Sequence, residues 1–221
     1  MERIPEPELM NDAVQAQAYA QADFSEPHTH FVSLFTEKFP DLTVTGNVLD
    51  LGCGPADVTR RFAQAYSACH IHGVDGASNM LTLGREMNAQ AGLAQRIDLF
   101  EMQLPCQALP LPQYDAVISN SLLHHLHDPL VLWRSLPQFA APGAPVFIMD
   151  LRRPQTVRAA QMLVTTYAET EPAVLREDFL ASLCAAFTPE EIEMQLAGVQ
   201  LQDLQIEIVS DRHLIVFGYM P

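Results

Sequence analysis

Nine consecutive residues, Val48-Leu49-Asp50-Leu51-Gly52-Cys53-Gly54-Pro55-Ala56, set an apolar strand running into a glycine turn and then directly into a helix. Glycines suit a turn where backbone must approach a ligand closely or adopt positive φ. The helix behind such a turn presents free N–H groups and the positive end of its dipole. Taken alone, the pattern is equally well a tight turn. A second apolar strand ends in Ile71-His72-Gly73-Val74-Asp75, and an acid at that place can accept two hydrogen bonds from a ribose diol. Asp75 could instead cap the next helix. Ser78, however, stands nearer the first periodic residues, Met80 and Leu81, and is expected to do that.

A strand–glycine–helix–strand–acid unit fits two kinds of cofactor. Dinucleotide sites use GxGxxG, whose third glycine packs beside a pyrophosphate. Here Asp57 occupies that position, and Asp50 adds further negative charge. Anions are disfavoured beside such a pair, whereas a cationic sulfonium carrying an amino group is favoured.

Asp50-Leu51-Gly52-Cys53-Gly54 resembles motif I of the class I S-adenosylmethionine-dependent methyltransferases. Gly73-Val74-Asp75 with Ser78-Asn79-Met80-Leu81 is similar to that family's ribose-binding strand end, and Tyr114-Asp115-Ala116-Val117-Ile118-Ser119-Asn120 to its fourth strand. Ser121 through Pro129 resembles the segment that follows. The similarity runs from about Val48 through Leu151 and resumes in the terminal strands, roughly two-thirds of the chain. The resemblance implies S-adenosyl-L-methionine as cofactor. It places Gly52 and Gly54 against the methionine part, Asp50 near its amino group, and Asp75 on the ribose hydroxyls. Gly76, Met80 and Met102 would border the adenine, with Asn120 and Tyr19 completing the cofactor site. Gln103 stands where the family has an acid near the adenine amine, and Ala56 stands where motif I has a third glycine. Both are departures from the pattern.

Methyl transfer from a sulfonium is an in-line displacement that needs little beyond alignment, and a general base only where the nucleophile carries a proton. His124 and His125, just past the fourth strand, are the candidate catalytic residues, set against a purely structural role. Arg152 and Arg153 follow the fifth strand and could clamp a substrate carboxylate, or serve as salt-bridge partners. Tyr19, Asp23, His28 and His30 could face the cofactor from an N-terminal lid. Neither His124/His125 nor His28/His30 has companions at zinc-site spacing, so no metal is expected.

The elements that must position these residues alternate. Apolar runs at Asn47–Leu51, His70–Asp75, Ile97–Gln103, Tyr114–Ser119 and Pro145–Leu151 are separated by helical stretches at Val58–Tyr66, Ser78–Ala91 and Pro129–Phe139. Alternation of this kind predicts a parallel sheet with right-handed crossovers. Two helices precede it, an Ala/Gln-rich one of about 15 residues starting near Pro7 and one carrying Phe31, Leu34, Phe35 and Phe39. Helices are also expected at Gln155–Thr170 and Val174–Phe187. Another opens on the capping box Thr188-Pro189-Glu190-Glu191. Asp203–Val209 and His213–Met220 read as a terminal antiparallel hairpin or a strand added at the sheet edge. The expectation is a Rossmann-like α/β fold: a mostly parallel seven-stranded sheet flanked by helices, with an antiparallel C-terminal strand. Residues 1–45 would form a helical arm or lid and residues 46–221 the S-adenosylmethionine-binding domain, with a helical insert at about 155–187.

Composition limits the partners. The 221 residues carry 27 acids against 12 bases, a net charge of −15, and Lys38 is the only lysine. Nucleic-acid affinity comes largely from phosphate neutralisation, and anionic membranes attract basic clusters, so both are excluded as expected partners. The acidic, proline-broken start has no apolar core of a signal peptide, and four scattered cysteines form no CxxC, which together predict a cytoplasmic protein with reduced thiols. A small-molecule methyltransferase is therefore expected. The alternatives are a methyltransferase-like binding or regulatory module without turnover, and a nicotinamide-dependent oxidoreductase. Composition leaves the oligomeric state open.

Overall fold

The computed structural model describes residues 1–221. Five strands, β1 (Gly46–Leu51), β2 (Cys69–Asp75), β3 (Ile97–Glu101), β4 (Ala116–Asn120) and β5 (Pro145–Leu151), form the parallel part of a seven-stranded sheet. The sheet is completed by β6 (Gln205–Ile208) and β7 (His213–Tyr219) in the order β3-β2-β1-β4-β5-β7-β6. β7 lies antiparallel to both neighbours, so the terminal hairpin and the added strand are one device. The chain crosses from β3 back over the sheet to β4, which lies beside β1. This topological switch opens a crevice beyond the carboxyl ends of β1 and β4, where open α/β sheets bind their ligands.

Alternation along the strands feeds two cores. Val48, Phe147 and Met149 point to one face, which is covered by α2 (Ser25–Lys38), α3 (Asp57–Ala65) and α4 (Ser78–Gln90). Leu49, Leu51, Val146 and Ile148 point to the other, covered by α5 (Leu130–Phe139) and α8 (Pro189–Gly198), with Trp133 fully buried between. Strands packed on both faces are apolar at nearly every position, and all seven residues of β5 are buried, Asp150 the one charged group among them. The helical pair α6 (Val157–Ala168) and α7 (Ala173–Ala185) falls within the expected insert and packs a small core of Leu151, Ala160, Leu183 and Ala186.

Two local expectations are corrected. The first helix, α1, spans only Ala13–Gln21, capped by Asp12, whose carboxylate accepts from the amides of Val14 and Gln15. Pro5 and Pro7 keep the preceding residues out of a helix, and they instead cross the molecule as an extended strap. The Ile4 amide donates to the Cys184 carbonyl at 3.0 Å, and Arg3 donates to the carbonyls of His124, Leu126 and Ala185. Ser78 does not cap α4, which has no side-chain cap. The Asp75 carboxylate reaches the Ala77 amide at 2.7 Å instead. Asp128 accepts from the Leu130 amide at 3.0 Å one residue ahead of the assigned cap, Pro129. The capping box at α8 forms as its sequence predicts.

Candidate active site

The glycine turn is fixed from behind. The amides of Gly52 and Cys53 both donate to the Val74 carbonyl, at 2.8 and 3.1 Å, which folds the end of β1 against β2. Gly52 has φ +70°, and a Cβ there would come within 2.8 Å of the Leu122 side chain. Gly54 also has positive φ, at +50°, but a Cβ on it would meet nothing within 4 Å. Its exposed backbone leaves room for a close ligand. The Gly54 amide donates to Asp75 at 2.8 Å, so the acid at the end of β2 is held by two backbone amides, one on either side of the crevice.

A cleft of about 230 Å³ opens above this turn. Asp50, Gly52, Gly54, Asp75, Gly76 and Met80 form its floor and one wall. Met102 and Gln103, beyond β3, and Asn120, at the end of β4, also line it, and Tyr19 lines it from the arm. Asp50 is completely buried; burial lifts its carboxyl to about 7, the Asp75 charge adds to this, and a 2.6 Å hydrogen bond from the Thr59 hydroxyl opposes it. Burial also raises the Asp75 carboxyl, against the amides that favour its charge. A fully buried carboxyl and a half-buried one, with no basic partner, make this floor a place for a cationic ligand. Burial likewise pushes the Tyr19 phenol up to about 12, so it stays protonated and can donate.

Asp57, expected to repel a diphosphate, is not free to act on a ligand. His28 lies 2.7 Å from its carboxylate, and Arg61 and Arg60 donate to it at 2.9 and 3.3 Å. Burial works to raise the Asp57 carboxyl, but the His28 and Arg61 contacts hold it well below the usual range. Discrimination against anions therefore rests on Asp50 and Asp75.

A second chamber of about 260 Å³ adjoins the first and shares Tyr19, Asn120, Ser121 and His125 with it. Met149 and Leu151 of β5, Leu175 and Phe179 of α7, and Tyr167 of α6 supply its apolar lining. Arg212 stands in its wall, its guanidinium 3.4 Å above the Tyr167 ring and ion-paired with Asp211 and Glu26. Ser121 holds φ +56°, a conformation rare outside glycine, where the two spaces meet. The His pair sits on a single 3₁₀ turn, Leu123–His125. Asp150 anchors that turn, accepting from the Leu123 amide at 2.7 Å and lying 2.5 Å from His124 Nδ1. Burial works to lower His124, yet Asp150 and Glu6 raise it above the ordinary imidazole value. Burial and the neighbouring His124 charge push His125 well below, so His125 is neutral.

Residues 48–143 match a protein family described as a methyltransferase domain. The trans-aconitate 2-methyltransferase of Mycolicibacterium gilvum is 32% identical over 87 residues, 38% of this chain and 31% of that protein. The chain thus spans about a third of the length of this relative. The crystal structure of a SAM-dependent methyltransferase from Aquifex aeolicus has a TM-score of 0.68 at 15% identity, covering 95% of this chain and 99% of that one. The plantazolicin methyltransferase in complex with SAH has a TM-score of 0.66 at 13% identity, over 93% of this chain and 84% of that one.

Residues 48–143 are thus similar to a methyltransferase domain. All ten residues that the sequence assigned to the cofactor of such a domain line the first cleft. His125 lies at the junction, and His124 lines the second chamber only. Arg152 and Arg153, the expected clamp, line neither space. Arg153 is turned under the domain, donating to the Ala186 carbonyl at 3.1 Å and to Glu191 at 2.6 Å, because β5 exits beside the start of α8. Arg152 bridges to Phe187, its amide donating to the Arg212 carbonyl. The guanidinium in the chamber wall is that of Arg212, which the sequence did not single out. Of the arm residues, Asp23 and His28 line both spaces and His30 neither. Sequence reasoning also missed Phe24, Ser121 and Asp178. Ser121 carried the one available signal, as the residue directly after β4; the others are brought in by the arm and the insert.

Proposed function

We propose that this chain transfers a methyl group from S-adenosyl-L-methionine to a small-molecule acceptor held in the second chamber. The observation that carries the reading is the junction: two adjoining spaces that meet at Asn120, Ser121 and His125, one floored by the carboxyls of Asp50 and Asp75 and the other lined by apolar side chains. The sulfonium and ammonium of the donor suit the first. Asp50 would lie near the ammonium, Asp75 would accept from the ribose hydroxyls, and Gly52 and Gly54 would let the methionine part approach the backbone. Gly76, Met80, Met102 and Gln103 would border the adenine, with Tyr19 and Asn120 across the cleft. In-line attack then needs the acceptor's lone pair aimed through the junction. His125, neutral and at that junction, is the group that handles a proton on the acceptor, while His124 is a positioning residue tied to Asp150. The net charge of −15 disfavours nucleic acid as the acceptor, and the free cysteines fit the cytoplasm. No helix is long and apolar enough to cross a membrane.

Calorimetric titration with S-adenosylhomocysteine, and a metabolite pool screened with methyl-labelled donor, test the reading. Hydrogen bonds to a charged group contribute about 1.5–3 kcal/mol, so Asp75→Asn should weaken binding roughly 10- to 100-fold. That variant keeps one oxygen for the backbone amides. His125→Ala should lower turnover and leave S-adenosylhomocysteine affinity unchanged. Wild-type affinity in folded Asp75→Asn, or no labelled product from any acceptor, would overturn the proposal.

A further inference from the structure

The strap at the N-terminus brings a carboxylate to the histidine pair. Glu6 Oε1 lies 3.2 Å from His125 Nδ1 and 3.6 Å from His124 Nε2, and all three donor atoms lie within 4.8 Å of one another. The side chains of Glu6, His124 and His125 are 9%, 3% and 14% exposed. Despite this burial, Glu6 Oε1 and His125 Nδ1 have no hydrogen-bond partner. Buried polar atoms are almost always satisfied, and here two orphans face one point together with His124 Nε2.

What surrounds the three donors holds them in place. The other nitrogen of His124 meets Asp150 at 2.5 Å, and that carboxylate is itself fixed by the amides of Leu123 and Leu151, each at 2.7 Å. A carboxylate behind an imidazole fixes its ring orientation and makes it a more basic ligand, and an arriving ion displaces the proton on the far nitrogen, as in metal sites. The second oxygen of Glu6 accepts from the Ser182 hydroxyl at 3.2 Å. Asp178, from the same helix as Ser182, keeps Oδ2 buried and unpartnered as well. The nearby guanidinium of Arg3 is engaged with backbone carbonyls and stacked on Phe187, not paired with Glu6. The pocket is thus rich in lone pairs and short of donors.

We propose that Glu6, His124 and His125 bind one divalent transition-metal ion of the zinc class. Two imidazoles and one carboxylate are the donor set of catalytic zinc sites that keep a position open. Metal–donor bonds of about 2.0–2.2 Å in tetrahedral geometry place neighbouring donors about 3.3 Å apart, close to the two shorter separations here. His124 and His125 both line the acceptor chamber. An ion on them can take an oxygen or nitrogen of the acceptor at its open position and weaken that atom's hold on its proton. His125 then acts on the acceptor through the ion. Sequence spacing carries no hint of this, since Glu6 stands far from the pair along the chain. The other cluster of metal-type donors, His70, His72 and Asp98, differs: His70 is bonded to Asp98 at 2.8 Å and His72 to Tyr114 at 3.0 Å, with no orphan atom.

The test reads the ion directly, without donor or acceptor. The purified full-length chain, stripped with chelator, is titrated with Zn²⁺ by calorimetry and with Co²⁺ by visible absorption. One ion per chain is expected, with the intense Co²⁺ bands of a four- or five-coordinate site. Loss of partners around ligands already costs about 10- to 100-fold in affinity, so Glu6→Gln and His125→Ala should each lose about 100-fold or more, and Asp150→Asn about 10-fold. His70→Ala should bind as the wild type does. Circular dichroism confirms that each variant is folded. No stoichiometric binding, binding retained in both Glu6→Gln and His125→Ala, or binding lost in His70→Ala would overturn the site. Failure here leaves the cofactor cleft untouched, because S-adenosylhomocysteine affinity is measured separately.

Discussion

At the scale of single residues, Asp50 is the clearest conflict between stability and use. Burial lifts its carboxyl from 3.8 to about 7, so the folded chain keeps a proton there that the unfolded chain sheds. Stability from this group is therefore complete below pH about 4, falls as pH rises toward about 7, and is level above that. Asp50→Asn removes the titration and keeps an oxygen for the Thr59 hydroxyl. Urea midpoints should show the variant more stable than wild type near pH 8, on the order of a few kcal/mol, with the advantage gone near pH 4. S-adenosylhomocysteine should bind the variant more weakly, because its ammonium loses a counter-charge. A gain that persists unchanged at pH 4 would mean that burial of the charge is not the cause. Asp75 differs in kind, since backbone amides at 2.7 and 2.8 Å support its charged form.

Among the elements, the two arm helices are held very differently. α2 buries His28, Phe31, Leu34 and Phe35, and Phe31 and Phe35 pack edge-on against Phe147 at 4.9 and 5.6 Å. α1 has nine residues, of which only Ala16 is fully buried. A helix this short is not stable on its own, so its order depends on what it covers, and Tyr19 places it on the cofactor cleft. Hydrogen exchange should show α2 protected with or without ligand, and protection across residues 13–24 rising about tenfold or more when S-adenosylhomocysteine is added. Equal exchange in α1 with and without ligand would remove the lid. Arg153 is the matching case at the far side, tying the exit of β5 to α8 through Glu191. Its side chain is 7% exposed and that of Glu191 32%, so breaking the pair should cost about 1–3 kcal/mol. Arg153→Ala should lower the unfolding free energy read from urea titration by that amount while leaving cofactor affinity and acceptor turnover as they were. A selective loss of turnover would restore the clamp.

For the molecule as a whole, the sequence by itself determined the sheet and grouped the residues that line the first cleft. Strands buried on both faces are written as apolar runs, and the glycine turn and the acid at the end of β2 lie within one β–α–β unit. Local pattern therefore suffices to bring Asp50, Gly52, Gly54 and Asp75 to one cleft. Even there, Asp75 rather than Ser78 meets the start of α4, because capping depends on where a side chain points and not on how near it stands in sequence. Only the tertiary structure decided the second chamber. That chamber draws on α1, α2, β5, α6, α7 and the turn before β7, and no periodicity links segments so far apart. The same holds for the arginines: Arg152 and Arg153 turn away and Arg212 faces in, a choice made by how β5 leaves the sheet and β7 enters it. Glu6 is the extreme case. An acid in a proline-broken, acidic stretch reads as a solvated charge, and it meets His124 and His125 only because the folded sheet gives its strap a surface to cross.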